Sequence, residues 1–511
     1  MAREKHNQKR TEDEEDVHFI FNEILRFATM SFDDYKTHIE NHPEDRLHSI
    51  NLPEPEGEFR LMSRAASERF CALTYRLLKS KKLEANRGDF DESTLNQSIR
   101  DAFAHYFLLE KKQIERKFVD RMLNKAQRAA LANHTAVTHY LPCVLVTKRE
   151  PREFHLGVVR FIQADKFFAE YGAQIKHDLE SQSKESRKKA KEMTDRGKLA
   201  GPLTTEAQWS RIDQMTLTWI HKYYEQYDWI AEVAVPPCDP KVSRQRAELV
   251  VQASLDLLKV VFGWCRAKGV RLGPDRNSQD KTAHLIRTTE ERFEWSIALG
   301  SIAAVLVEDG WFEQIKQHYG RYLDAAGQAI ETYLSPHQPT ELCERWLDAL
   351  NWCGQAVSEP LPSAQIVKYT AALERLTITK KTTPDADKGV TESVARRVAI
   401  LAVSDQQESF EAVCKNARTI YAWRSKLMHG RSSPASKDES VENDMRTVRN
   451  QADELTRNVL FGAIDLYADL LMSGKSRSEN LEEWFHRWEV PIDAETEHQS
   501  CQSSQERLPD S

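Results

Sequence analysis

Apolar residues recur at helical spacing along most of this chain, and the exceptions are concentrated in its middle third. Phe19, Phe21, Ile24 and Leu25 open a first amphipathic segment. Residues 91–133 read as one or two longer helices with a stripe of Leu95, Ile99, Ala102, Phe103, Tyr106 and Phe107. The pattern then changes. Residues 140–146 and 154–161 are rich in β-formers, and the turn-like 148–152 between them predicts a hairpin. Asp165 is placed to cap a helix running to about His177. A helix over 209–227, a strand over 229–235 closed by Pro236-Pro237, a helix over 243–262 capped by Ser243, and β-prone or mixed segments over 292–308 follow. From there the spacing is helical again, predicting helices at 312–333, 339–357, 362–377, 391–403, 405–429 and 440–472.

These elements give a mainly α protein with an α+β middle region and a C-terminal helical bundle. The expected organisation is a disordered polar leader over 1–16, a helical region over 17–135, an α+β domain over 136–311, a bundle over 312–490 and a disordered tail over 491–511. A length of 511 residues fits about three such domains.

Composition narrows the classes of function. No apolar run approaches the roughly 18 residues of a membrane span, and the first residues carry no export signal, so no membrane partner is expected. Eight cysteines without a C-x-x-C pair support neither a zinc site nor a disulfide framework, which suits a reducing cytoplasm. The net charge of −7 argues against coating nucleic acid through the overall field, while leaving room for a local basic cleft. Residues 180–198, with seven basic and four acidic positions, read as a solvated helix or loop, because no aromatic residue interrupts them to stack on bases. Glycine-rich phosphate loops, nucleophile elbows and zincin pairs are absent, and neither metal nor cofactor is expected.

An arginine followed five to seven positions later by a histidine occurs four times, at Arg100/His105, Arg128/His134, Arg149/His155 and Arg424/His429. With 40 arginines and 17 histidines, chance gives about the same number. Position separates the last copy from the others. Phe410, Val413, Ala417, Ile420, Tyr421, Leu427 and Met428 form one helical stripe, and Arg424 falls in its middle. A guanidinium aimed inward requires a carboxylate, a phosphate or a polar cleft to receive it. Arg100 and His105 lie outside their own helix's stripe.

The run Tyr421-x-x-Arg424-Ser425-x-x-x-His429-Gly430, preceded by residues 371–376 and 397–401, resembles the Apea-like branch of the HEPN superfamily over roughly 338–472. That resemblance implies a HEPN-type helical bundle, often dimeric, and in many members a metal-independent ribonuclease whose arginine and histidine face a cleft between protomers. Arg424 and His429 would then be catalytic, Glu374 would orient Arg424, and Ser425 stands where active nucleases often carry Asn, Asp or His. RNA, a homodimer or larger even oligomer, and a bacterial antiviral, abortive-infection or toxin role are what the likeness implies. Other members are non-catalytic binding or regulatory modules.

The chemistry is consistent with the resemblance. RNA is cut without metal when its 2′-hydroxyl attacks the adjacent phosphate, which needs a group titrating near neutrality and a cation on the phosphoryl oxygens. Histidine and arginine meet those needs. Two structural readings stand beside the catalytic one: a buried ion pair between Arg424 and Glu374, and His429 as a helix-end cap. Five residues at about 100° each turn the two side chains some 140° apart, which favours a second chain completing the site.

Overall fold

The computed structural model describes residues 10–52, 59–80, 83, 88–195, 214–215, 218–219, 222–224, 226–273, 281–287, 293–299, 305–334, 341–379, 389–402, 410–433 and 438–488. The protein is mainly helical with a small antiparallel sheet region, and it divides into two compact units.

The first unit takes the described residues of Met1–Val137 together with Val235–Arg246. Its opening helix, α1 (Glu12–Thr29), starts inside the expected disordered leader. Thr11 and Glu14 form a reciprocal capping box, four acidic residues occupy the first turn, and buried Asp16 is held by Arg69 at 2.7 Å and Arg76 at 2.5 Å. The buried stripe is Val17, Ile20, Ile24 and Phe27, while Phe19 and Leu25 are exposed, so the sequence stripe is rotated by about one residue. After α2 (Phe32–Asn41) and a two-stranded ribbon of β1 (Ser49–Asn51) and β2 (Phe59–Leu61), α3 (Arg64–Leu78), α4 (Glu92–Phe103) and α5 (Arg116–Ala132) complete the core around Phe70, Ile99, Phe103 and Met122.

The segment Val235–Arg246 closes this unit from far along the chain. Its Asp239 amide donates to the Asp89 carbonyl at 2.9 Å, and Arg246 reaches the Asp89 carboxylate at 2.8 Å and the Gly88 carbonyl at 3.1 Å. Lys241 lies 3.3 Å from Asp91, which caps α4. The helix Pro240–Phe262 starts in this segment. It begins at Pro240, whose fixed φ and missing amide suit a first helical position; Ser243, expected as the cap, already donates its amide to Asp239 one turn in, at 2.8 Å.

The second unit holds most of a five-stranded sheet ordered β4-β5-β6-β3-β7: β3 (Thr135–Val144, its first three residues in the first unit), β4 (Glu153–Leu156), β5 (Val159–Gln163), β6 (Trp229–Cys238, its last four residues in the first unit) and β7 (Arg271–Leu272). The expected hairpin between 140–146 and 154–161 is corrected. The second run folds on itself as β4–β5, turning at Gly157, whose φ of +54° is open to glycine; β3 lies instead between β6 and β7. β6 continues through Pro236 and Pro237, past its pairing with β5 over residues 229–233. Of the β-prone 292–308, Phe293–Leu299 pairs with Lys281–Arg287, Val305 bridges Val146, and 300–304 lie outside the described residues. The helix expected to end near His177 spans Ala164–Asp195, and most of the helix expected over 209–227 lies outside the described residues.

The bundle helices are Trp311–Leu334, Glu341–Ser358, Pro362–Thr377, Gly389–Ala402, Phe410–Met428 and Glu439–Met472, followed by a helix over 478–488. Residues 405–409, expected to open the fifth, and 491–511, expected as the tail, lie outside the described residues, as do 403–404 and 489–490. No unit boundary falls at 311/312. Trp311 and Phe312 pack against Phe154 of β4 with ring centroids 5.1 and 4.5 Å apart, which ties the sheet and bundle into one core. A second tie is buried: Lys259 bonds to Asp256 at 2.8 Å and to the Gly354 carbonyl at 3.2 Å, and a Cβ at Gly354 would come within 2.0 Å of the Asp256 carboxylate.

Candidate functional site

The helix Phe410–Met428 buries Val413, Cys414, Ala417 and Ile420, and at about 100° per residue Arg424 continues that line. The helix outruns the core, however. Arg424 is one-third exposed, Met428 is 58% exposed, and Leu427 is half-buried. Arg424 therefore occupies the rim of the bundle instead of its interior, which corrects the expectation of an inward-aimed guanidinium and removes the need for a fully compensating buried partner.

Glu374, on Pro362–Thr377, sits beside it. Its Oε1 lies 4.0 Å from Arg424 Nη2, at the limit of an ion pair, and the same oxygen accepts the Tyr421 hydroxyl. Burial, reinforced by the neighbouring carboxylate, pushes the Tyr421 phenol up, so it stays a hydrogen donor. The Arg424 guanidinium also lies 5.8 Å from the Tyr421 ring centroid. Among the described residues no hydrogen bond reaches that guanidinium, which leaves its fork of donors open to a phosphate. Tyr421 was not singled out as a site residue from sequence, although its position three before Arg424 puts both on one helix face.

His429 is exposed at the helix end. Gly430, with φ of +68°, ends the helix in a Schellman arrangement: its amide donates to Leu427 at 3.2 Å and the Arg431 amide donates to Lys426 at 2.8 Å. The Ser425 carbonyl accepts the His429 amide at 3.0 Å; Ser425 itself is half-buried. Arg424, Glu374 and Tyr421 are brought together, and His429 lies on another side of the same helix, about 7.5 Å further along its axis. Lys426 and Arg431 add positive charge at this end, with the Lys426 amine 5.0 Å from the Trp423 ring centroid.

The other arginine–histidine pairs have different surroundings. Arg100 bonds to Asn96 at 2.7 Å and Ser67 at 2.9 Å and covers the Phe70 ring at 4.8 Å, so it is a packing residue; the expectation of an outward position is corrected to a half-buried one. Arg128 is in the last turns of α5, and Arg149 precedes the β4–β5 hairpin.

No family model, curated protein or solved structure matches this chain. Among the described residues no helix is long and apolar enough to cross a membrane.

Proposed function

We propose that the protein is a metal-independent endoribonuclease of the HEPN type, with Arg424 holding the scissile phosphate and His429 donating a proton to the leaving 5′-oxygen. The observation that carries this reading is the guanidinium of Arg424. It is held at the bundle rim beside Glu374 and Tyr421, accessible and without a hydrogen-bond partner among the described residues. Arginine suits the developing phosphoryl charge because its planar fork matches two oxygens and stays protonated. Histidine suits proton transfer because it titrates near neutrality.

The angle between the two side chains supports a site shared by two chains. Tyr421, Arg424, Leu427 and Met428 continue the apolar stripe beyond the core, and a second copy of this helix end would cover them while bringing a histidine towards the opposite arginine. A non-catalytic HEPN module, binding a partner or regulating a companion enzyme, is the second reading. It is favoured by Ser425 and by the Glu374 carboxylate already being engaged by Tyr421.

The test is incubation of purified wild-type and His429→Ala protein with total RNA in EDTA. Cleavage by the wild type alone, leaving 2′,3′-cyclic phosphate or 3′-phosphate ends, is the expected result. Products with 3′-hydroxyl ends, or activity that returns only with Mg²⁺, would overturn it.

A further inference from the structure

Away from Arg424, the edge of the sheet and the helix Trp311–Leu334 enclose a cavity of about 320 Å³. The two elements touch at both ends of it. Phe312 packs on Phe154 at one end, and at the other the turn glycine Gly157 meets Gly327 so closely that a Cβ on either would clash with the other's backbone, at 2.6 and 2.8 Å. Between these contacts they part, and the cavity is lined by His155, Leu156 and Gly157 on the sheet side and by Lys316, Gly320, Leu323 and Asp324 on the helix.

Three features bear on what this cavity could hold. First, β4 is the terminal strand of the sheet, so among the described residues the peptide groups on its outer edge pair with no further strand. Second, Gly320 stands in a helix interior, where glycine is the least favourable residue apart from proline, yet a Cβ there would meet nothing within 4 Å and its φ is not positive. Neither packing nor backbone geometry requires a glycine, but a side chain would occupy the cavity. Third, Lys316 and Asp324 lie one helical turn to either side of Gly320, on the same face. Asp324 has no ion-pair or hydrogen-bond partner among the described residues, and Lys316 has only Glu313 at 4.0 Å and the Phe312 ring at 5.1 Å.

We infer that this cavity binds a short extended peptide with free termini, laid along the open edge of β4, its carboxylate towards Lys316 and its ammonium towards Asp324. Lys316 and Asp324 are eight residues apart, about 12 Å along the axis. An extended chain of three residues spans about 10 Å. Opposite charges at the two ends select a zwitterion, the β4 edge supplies main-chain hydrogen bonds, and Leu156 and Leu323 supply the apolar floor.

Trialanine is the probe, titrated calorimetrically into the full chain beside acetylated, amidated trialanine. Saturable binding of the free-ended peptide is expected, with at least tenfold weaker binding of the capped form. Lys316→Ala and Asp324→Ala should each weaken it at least fivefold. Gly320→Leu should abolish binding while the melting temperature stays at or above the wild-type value, which separates a filled cavity from an unfolded protein. Equal affinity for the capped peptide, undiminished binding by Gly320→Leu, or no saturable binding to folded wild type would overturn the inference. RNA cleavage is a separate readout, so this outcome is independent of the proposed ribonuclease activity.

Discussion

Tyr421 donates its phenolic hydrogen to the carboxylate of Glu374 across two helices of the bundle, on the same oxygen that lies 4.0 Å from Arg424. The hydroxyl therefore competes with the guanidinium for that oxygen, holding Glu374 in place without letting it close fully on the arginine. Tyr421→Phe should release Glu374 onto Arg424 and cost about 1 kcal/mol of stability, the usual net worth of such a bond. An initial-rate assay on RNA should show cleavage falling about tenfold while circular dichroism remains native.

Arg424→Ala and His429→Ala should each abolish cleavage with little change in melting temperature, since both groups are at the rim or exposed. Arg100→Ala should do the reverse. Losing its bonds to Asn96 and Ser67 should lower the melting temperature, and activity per folded molecule should be retained. Paired melting and activity assays check this; an inactive but fully stable Arg100→Ala protein would show that the wrong pair has been assigned.

Association should control activity, because Arg424 and His429 face different ways on one helix. Specific activity is expected to fall on dilution through the dimer dissociation constant, and excess Arg424→Ala chain should inhibit wild-type protein after subunit exchange. Full activity from a stable monomer in sedimentation experiments would refute the shared site.

Glu392 gives a pH prediction of definite sign. Hydrogen bonds from Arg418 hold its carboxyl below the ordinary value of 4.5 in the folded protein. A lowered folded pKa means that the unfolded chain takes up the proton first, so the contribution is present above about pH 4.5 and is lost as pH falls towards and through the folded value. Melting curves should show Glu392→Gln less stable than wild type at neutral pH, with the gap closing in acid.

The bundle was legible in the sequence because its helices are long and strongly periodic; Pro362–Thr377 and Glu439–Met472 begin and end within a residue of expectation. Errors arose where distant residues decide the outcome. Asp16 reads as part of a polar leader until Arg69 and Arg76 fold back on it. The 154–161 run reads as one strand, and only the meeting of Gly157 with Gly327 shows why the chain turns there. At the candidate site, helical phase placed Arg424 on the buried stripe correctly, but phase carries no information about where a core stops. The one-third-exposed rim position of Arg424 depended on that.

The attachment of Asp239 and Arg246 to Asp89 has a consequence for how the protein is made. A chain emerging from the ribosome exposes Asp89 and the cap of α4 long before residues 235–246 have been synthesised, so the first unit must wait for more than a hundred further residues before it can close. During that interval the polar contacts of Asp89, Gly88 and the α4 cap with Asp239, Lys241 and Arg246 are unmade. A fragment ending at residue 137 should consequently be a target for proteases and chaperones, and supplying a separate peptide of residues 235–246 should protect it.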